Sequence, residues 1–163
     1  MSTTHFSWRQ TVHEADIAAV RKLTTKVGVF SEEESFVAGE LVEDACNRGE
    51  AAGYHFIFVE DNNQVIGYTC YGRIPFTDGR FDLYWIAVDP EYQRLKLGTA
   101  LMQRSEQGVA QLGGKRVYLE TSSRTEYAPV RHFYDRHGYK KIIELENFYR
   151  DGDNKIMYYK ILT

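Results

Sequence analysis

The residues with the most informative spacing lie in segment 88–101, where an apolar strand pattern gives way to a helical one. Gln93, Arg94 and Lys96 form a short polar turn, and a helix is predicted from about Gly98. The first amides of a helix have no acceptor within it, and the helix dipole adds positive charge there. The turn therefore predicts an anion site, and a diphosphate suits it because several donors converge. A strand, a turn with basic residues and a helix are also a common structural connection.

The same turn resembles motif A of the GNAT acetyltransferase superfamily, commonly Q/R-x-x-G-x-G/A, in which backbone amides hold the pyrophosphate of acetyl-CoA. Gln93, Gly98 and Ala100 fit this pattern, whereas Lys96 stands in the place of the first glycine. A side chain there restricts the backbone if a positive φ is needed, while its ammonium could reach a phosphate oxygen. The later run 132–139, HFYDRHGY, resembles the family's F-Y-x-x-x-G-F/Y motif at the expected distance downstream.

This resemblance implies a fold and a co-substrate. It implies one GNAT domain over residues 1–163, of α/β class, with a mixed and mostly antiparallel sheet of about seven strands and about four flanking helices. The co-substrate would be acetyl-CoA, and an N–H at the end of the strand before the turn would bind the acetyl carbonyl as the oxyanion donor. The implied acetyl-CoA-binding residues are Ile86, Ala87, Val88, Gln93, Arg94, Leu95, Lys96, Leu97, Gly98, Thr99 and Ala100.

Two residues are candidates for the proton transfers. Acetyl transfer needs a neutral amine, although the pKa of an ammonium is about 10.4, and the departing thiolate gains from an acid. The resemblance implies that Tyr134 lies near the thioester sulfur as this acid; the alternative is a core aromatic residue with a satisfied hydroxyl. Asp82 lies six residues before Val88, where some lysine-acetylating members carry a catalytic glutamate. Its place in an apolar strand would raise its pKa towards that of a base.

Several alternatives remain open at this point. Asp82 could instead bond to the turn at 77–80, and the two interpretations are about equally supported. Because Asp is one methylene shorter than Glu, a water could relay the proton, and Glu120 and Tyr84 are reserve candidates. Phe30 and the acidic run 32–34 lie where GNAT domains border the acceptor site, although the acidic run also suits an ordinary helix start.

The elements that must position these residues follow from periodicity. Apolar residues three and four apart predict a helix over about 13–26, and Ser31 before three glutamates predicts the N-cap of a second helix. Further helices are predicted from Gly98 to Leu112 and from Pro129 to His137. Runs of β-branched and aromatic residues predict strands over about 6–12, 54–60, 65–73, 81–88, 116–122, 140–146 and 154–161.

The composition narrows the class of protein. With 43% hydrophobic and 26% charged residues, the chain is neither disordered nor fibrous. A formal charge of -3 gives no general reason to expect nucleic acid as a partner. Neither an apolar span nor a signal segment is evident, and the two cysteines form no close-spaced framework, which favours a cytoplasmic protein without a membrane partner. The histidines show no metal-ligand spacing, so no metal is predicted.

The leading hypothesis is an acetyl-CoA-dependent N-acetyltransferase that works by direct transfer in a ternary complex. The acceptor would be a primary amine of a small molecule or a peptide. Many members of the GNAT family form dimers, so the resemblance also implies a homodimer. The competing hypothesis is a non-catalytic GNAT-like module that binds CoA or an acyl-CoA as a sensor. Lys96 favours the sensor, whereas Tyr134 and Gln93 favour the enzyme.

Overall fold

The structure is a computed structural model and describes residues 5–163. Within this range the helices and strands follow the predicted order. They are β1 (Ser7–Arg9), α1 (Ala15–Val27), α2 (Glu32–Arg48), β2 (Tyr54–Asp61), β3 (Gln64–Arg73), β4 (Arg80–Val88), α3 (Leu97–Gln111), β5 (Arg116–Ser122), α4 (Ala128–Arg136), β6 (Lys140–Arg150) and β7 (Asp153–Ile161). Short 3-10 turns, which were not predicted, occur at Gly49–Ala52, Pro90–Leu95 and Thr125–Tyr127.

The strands form a seven-stranded sheet in the order β1-β2-β3-β4-β5-β7-β6. β4 and β5 run parallel, whereas β1 with β2, β2 with β3, β5 with β7 and β6 with β7 run antiparallel. A parallel pair requires a crossover connection, and α3 lies in the chain between β4 and β5. The predicted α/β class, with a mixed and mostly antiparallel sheet of seven strands and four α-helices, is confirmed.

The first of two compact units contains residues 5–72 of the described range together with Trp85–Ser105. Its core forms because the apolar stripes of α1 and α2 pack with the apolar residues of β2 and β3. The buried residues of this core are Val20, Leu23, Ala38, Val42, Ala45, Phe56, Phe58, Tyr68, Cys70 and Ala87. α2 begins at the predicted capping box: the Glu34 amide donates to Ser31 Oγ at 3.1 Å, and the Ser31 amide donates to the Glu34 carboxylate at 2.7 Å.

The predicted hairpin of β2 and β3 belongs to this unit and is confirmed. Two residues, Asn62 and Asn63, connect the strands, and both have positive φ, at 47° and 62°. Two left-handed residues give a connection whose twist matches that of the flanking strands, and asparagine tolerates this conformation.

The second unit contains Arg73–Tyr84 and Glu106–Thr163. Its sheet has one apolar face, where Phe81, Val117, Leu119 and Tyr158 are buried. The opposite face carries the polar residues that alternate with them, in agreement with the period of two along a strand.

Two strand predictions were wrong in extent. β1 covers three residues rather than the predicted 6–12, because its recorded pairing with β2 joins only Ser7–Arg9 to residues 58–60. β6 continues past residue 146 to Arg150, which pairs with Asp153 of β7. Across the described residues, no helix is both long and apolar enough to cross a bilayer.

Candidate active site

The turn after β4 is held at its start by Asp89. Its carboxylate accepts a hydrogen bond from the Glu91 amide at 2.9 Å, and Pro90 occupies the first position of the turn, where its fixed φ is suitable. The ammonium of Lys26, at the end of α1, binds the Asp89 carboxylate at 2.7 Å and the Glu91 carboxylate at 2.6 Å. The start of the turn is therefore fixed by its own backbone and by a salt bridge to α1.

Lys96 ends the 3-10 turn in the left-handed conformation, with φ 59° and ψ 22°. A side chain in the place of the motif glycine was expected to restrict the backbone if φ were positive, and the φ of Lys96 is positive. α3 begins at the next residue, the buried Leu97, and Ala100 donates its amide hydrogen to the Lys96 carbonyl oxygen at 3.1 Å. The amides of Leu97 and Gly98 therefore precede the first helical hydrogen bond, at the positive end of the helix dipole. This is the geometry of an anion site.

The polar side chains of the turn are exposed. Gln93, Arg94 and Lys96 all lie at the surface, and the Gln93 amide nitrogen lies 3.5 Å from the Val88 carbonyl oxygen. Two cationic side chains thus accompany the amides at the start of α3, and they add positive potential where an anion would bind.

The end of β4 lies close to β3. The Asp89 amide donates to the Ile66 carbonyl oxygen at 2.8 Å, and Ala87 is buried. Gly67 permits this approach, because a Cβ at that position would lie 2.9 Å from a Val59 methyl and 3.2 Å from the Ala87 carbonyl oxygen. A glycine is therefore required beside the strand end that was predicted to bind the acetyl group. Ile86 and Val88, the other two residues of that prediction, are half-buried.

Asp82 lies on the polar face of the second unit, in register with Tyr118 of β5. Its carboxyl is half-buried. Burial, followed by the nearby Glu120 carboxylate, raises the pKa of Asp82 to about 6, while the Lys155 ammonium acts in the opposite direction. A carboxylate with this pKa is ionised at neutral pH and is a much stronger base than an ordinary aspartate.

The alternative reading of Asp82, as a partner of the preceding turn, finds no support among the described hydrogen bonds. The Arg80 guanidinium donates to the Asp78 carbonyl oxygen at 2.5 Å, the Thr77 hydroxyl donates to the Ile74 carbonyl oxygen at 2.7 Å, and the Lys115 ammonium binds the Asp78 carboxylate at 3.2 Å. This turn is stabilised by its own groups and by Lys115.

Tyr134 is buried on α4 among other aromatic rings. Its ring centroid lies 5.8 Å from that of Tyr158, 5.9 Å from that of Phe133 and 6.1 Å from that of Tyr139. Burial, followed by the neighbouring phenols, raises the pKa of Tyr134 well above its usual value of 10. The phenol therefore stays protonated at neutral pH and can act as a donor.

The two candidate residues lie on opposite faces of the sheet in the second unit. Asp82 pairs with Tyr118, whereas Leu119, the next residue of β5, pairs with Tyr158. Consecutive residues of a strand point to opposite faces, so Asp82 and Tyr158 do too. Because Tyr134 packs on Tyr158, it belongs to the face opposite Asp82.

The reserve candidates are more exposed. The Glu120 side chain is 46% exposed, and one of its carboxylate oxygens lies 2.5 Å from the Lys155 ammonium. Tyr84 is 39% exposed. In the first unit, the Phe30 ring packs edge-on against Trp85 of β4, with the centroids 5.1 Å apart. Among residues 5–163, no group of three or more His, Cys, Asp or Glu side chains could hold a metal ion.

Comparison with protein families gives a direct assignment. The model of the acetyltransferase (GNAT) family matches residues 18–139, a range that contains Asp82, Lys96 and Tyr134. The chain belongs to the acetyltransferase (GNAT) family. The resemblance inferred from the two motifs is therefore confirmed, and so is the prediction that the protein is an acyl-transferring enzyme.

Relatives within the GNAT family include proteins of different origin. An N-alpha-acetyltransferase of Sulfurisphaera tokodaii is 30% identical over 107 residues, which are 65% of this chain and 60% of that protein, so the match spans less than two thirds of that relative. A solved GNAT protein from Desulfovibrio desulfuricans is 41% identical, with a TM-score of 0.95 over 98% of this chain and 100% of that chain.

A further solved relative was determined with coenzyme A. The PaiA N-acetyltransferase from Thermoplasma acidophilum is 19% identical, with a TM-score of 0.74 over 97% of this chain and 99% of that chain. At this identity the similarity shows a shared GNAT fold.

Three residues of the candidate site were not predicted from the sequence: Gly67, Lys26 and Lys155. Gly67 carried a signal, since an isolated glycine within a strand often marks a close backbone approach. Lys26 and Lys155 carried none, because long-range salt bridges depend on which segments the fold brings together.

Proposed function

We propose that this protein is an acetyl-CoA-dependent N-acetyltransferase that moves the acetyl group directly to a primary amine in a ternary complex. The observation that carries the proposal is the left-handed conformation of Lys96, followed at once by the start of α3. The amides of Leu97 and Gly98 would bind the diphosphate of acetyl-CoA, and the side chains of Arg94 and Lys96 would add charge-assisted contacts. The coenzyme A complex of the Thermoplasma acidophilum relative supports this ligand.

Asp82 would act as the base that prepares the acceptor. An ammonium with a pKa of about 10.4 is almost fully protonated at neutral pH, so one proton must leave before nitrogen attacks. The Asp82 carboxylate, with its pKa raised to about 6, can accept that proton directly or through a water. The nitrogen lone pair then forms the new bond to the acetyl carbon, and the second proton leaves the nitrogen for solvent as the intermediate collapses to the amide.

Tyr134 would assist the departure of the thiolate. A thiol has a pKa of about 8.5, so its thiolate is a fair leaving group that needs only modest help. Because the pKa of Tyr134 is well above 10, the phenol contributes chiefly as a hydrogen-bond donor while charge develops on sulfur. The sulfur takes the phenol proton of Tyr134 as the carbon–sulfur bond breaks, and solvent then returns a proton to Tyr134.

An amide at the end of β4, within Ile86–Val88, would bind the oxygen of the tetrahedral intermediate. A fixed backbone donor of this kind stabilises developing charge without reorganisation. The close approach of β3 at Gly67 supports the proposal, because it fixes the position of this strand end.

The separate tasks of Asp82 and Tyr134 are those of direct transfer. Asp82 would take a proton from the amine, and Tyr134 would act on the sulfur of the thioester. A reaction that uses both residues therefore needs the amine and the thioester bound at the same time, which is a ternary complex. Initial-rate kinetics test this step: intersecting lines are expected, whereas parallel lines would indicate an acetyl-enzyme intermediate.

The acceptor would be a primary amine of a small molecule or a peptide. The relative from Sulfurisphaera tokodaii bears the name N-alpha-acetyltransferase, which makes a peptide N-terminus one candidate. A panel of peptides, polyamines and aminoglycosides, followed by thiol release at two pH values, would identify the class.

A second candidate function is a non-catalytic CoA sensor, which the strained Lys96 in the place of a motif glycine favours. Calorimetry with acetyl-CoA and thiol release with the amine panel separate the two. Binding heat without release supports the sensor, whereas release supports the enzyme. An absence of heat at millimolar excess would contradict both.

Where release occurs, Tyr134→Phe tests the role of the phenol. Turnover is expected to fall about 10- to 100-fold, near the lower end for general acids because a thiolate needs modest help. CoA affinity should stay nearly unchanged. The matched control is Tyr68→Phe, which removes another buried hydroxyl, one without a hydrogen-bond partner among the described residues. Full turnover in Tyr134→Phe would refute the role.

A further inference from the structure

Three charged side chains lie on one face of β4, β5 and β7. Asp82 pairs with Tyr118, and Glu120 follows two residues later on β5, so it points to the same face. Glu120 pairs with Met157 of β7, and Lys155 lies two residues before Met157, again on that face. The registers of two strand pairs therefore bring two carboxylates and one ammonium together.

Lys155 binds only one of the two carboxylates closely. Its ammonium lies 2.5 Å from a Glu120 carboxylate oxygen and 4.6 Å from the centroid of the Phe148 ring. The Lys155 side chain is 16% exposed, whereas that of Glu120 is 46% exposed. The ammonium is thus held from two sides, while the carboxylate it binds reaches into solvent.

Asp82 has a different environment. It faces Tyr118 and Glu120 from β5 and Lys155 from β7, and its pKa is raised by burial and by Glu120 and lowered by Lys155. Of the two carboxylates, that of Glu120 forms the salt bridge with the Lys155 ammonium. The two carboxylates therefore differ: Glu120 is paired, and Asp82 carries the raised pKa.

We propose that Lys155 is a positioning residue for proton removal from the acceptor: its ammonium holds Glu120 as an ion pair, so that the neighbouring Asp82 carboxylate exchanges the proton. The role in the reaction rests on the proposed function. Without Lys155, the two neighbouring carboxylates would have no ammonium beside them. Two neighbouring carboxylates repel one another when both are ionised. Asp82 and Glu120 would therefore keep one shared proton to a higher pH.

The test is the pH dependence of kcat/KM in two variants that change the charge in opposite senses. The wild-type acidic limb is expected near pH 6. Lys155→Met should move this limb upwards by about one pH unit, because it removes the neutralising charge. Glu120→Gln should move it downwards and leave substantial turnover, because it removes the like charge.

Two controls separate charge from structure. Lys155→Arg keeps the positive charge and should keep the wild-type limb. Lys160→Met removes another lysine of β7, whose ammonium binds Glu106 at 3.0 Å, and should also leave the limb in place. A limb that moves as far in Lys160→Met as in Lys155→Met would overturn the inference.

A carboxyl titration makes the inference testable apart from activity. The carbon-13 signal of the Asp82 carboxyl, assigned with Asp82→Asn, is followed against pH in the wild type and in Lys155→Met. An upward shift in both the signal and the kinetic limb supports the inference. An unshifted signal overturns it, as would a loss of more than about 100-fold in Glu120→Gln, which would make Glu120 the base. A shifted signal with an unshifted limb supports control of Asp82 by Lys155 and contradicts Asp82 as the base in the proposed function.

Discussion

Replacing Lys96 with glycine should stabilise the protein. Lys96 has a φ of 59°, in the left-handed region that costs a residue with a Cβ about 1–2 kcal/mol and that glycine adopts freely. Glycine also makes the unfolded chain more flexible, which returns about 0.4–1 kcal/mol. The difference is a net gain of roughly 0.5–1 kcal/mol in the free energy of unfolding. For a chain of this length, that is a rise of about 2 °C in the melting temperature.

Two control variants isolate the backbone effect. Lys96→Ala loses the same ammonium but keeps the positive φ, so its stability should remain close to that of the wild type. Arg94→Gly places a glycine in the same 3-10 turn at a residue without positive φ, and it should lose about 0.5–1 kcal/mol. Urea unfolding monitored by circular dichroism, with equal slopes in all four proteins, gives the comparison.

The same variants report on ligand binding. If the Lys96 ammonium contacts a phosphate, Lys96→Gly and Lys96→Ala should both bind CoA less tightly, by about 2- to 5-fold for a solvent-exposed charge pair. Any advantage of the glycine variant over the alanine variant would then come from the backbone amides. A Lys96→Gly protein that is as destabilised as Arg94→Gly would refute the assignment of strain to Lys96.

Other variants test further parts of the account. Asp82→Asn should equal the wild type in stability near pH 4 and exceed it by about 1–2 kcal/mol above pH 6. The reason is that the folded protein binds the Asp82 proton more tightly than the unfolded chain does, so the wild type loses stability as this carboxyl ionises. Thermal unfolding across this pH range measures the difference, and a difference that does not change with pH would contradict the prediction. Gly67→Ala should cost about 1–3 kcal/mol, because the added Cβ would lie 2.9 Å from a Val59 methyl, and unchanged unfolding would contradict the close approach. Ser31→Ala should cost about 1 kcal/mol by removing the cap of α2, as measured by urea unfolding, whereas a neutral result would show that the cap contributes little.

Local signals in the sequence were sufficient for most of the fold. Ser31 and Glu34 stand at the spacing of a capping box, and Asn62-Asn63 lies between two apolar runs, so each feature is specified within a few residues. The end of β6 was not predictable in this way. Its last paired residue, Arg150, is set by the position of Asp153 across the hairpin rather than by a periodic pattern.

The parts of the candidate site that belong to a sequence motif could be predicted. The parts that depend on backbone conformation or on strand register could not. The polar turn and Tyr134 follow from two motifs, but lysine has no preference for positive φ, so the conformation of Lys96 required a structure. The opposite-face placement of Asp82 and Tyr134, like the contact of Lys155 with Glu120, depends on strand registers that no local pattern encodes. The expectations of one domain, a homodimer and a cytoplasmic location stay predictions.

Nuclear magnetic resonance of backbone amides, with coenzyme A and pantetheine added in parallel, tests the central claim most directly. Both ligands contain the pantetheine arm, but only coenzyme A contains the diphosphate. Large shifts at the Leu97 and Gly98 amides are expected with coenzyme A and not with pantetheine. Saturation with coenzyme A that leaves these two amides unmoved would contradict the claim that the start of α3 binds the diphosphate.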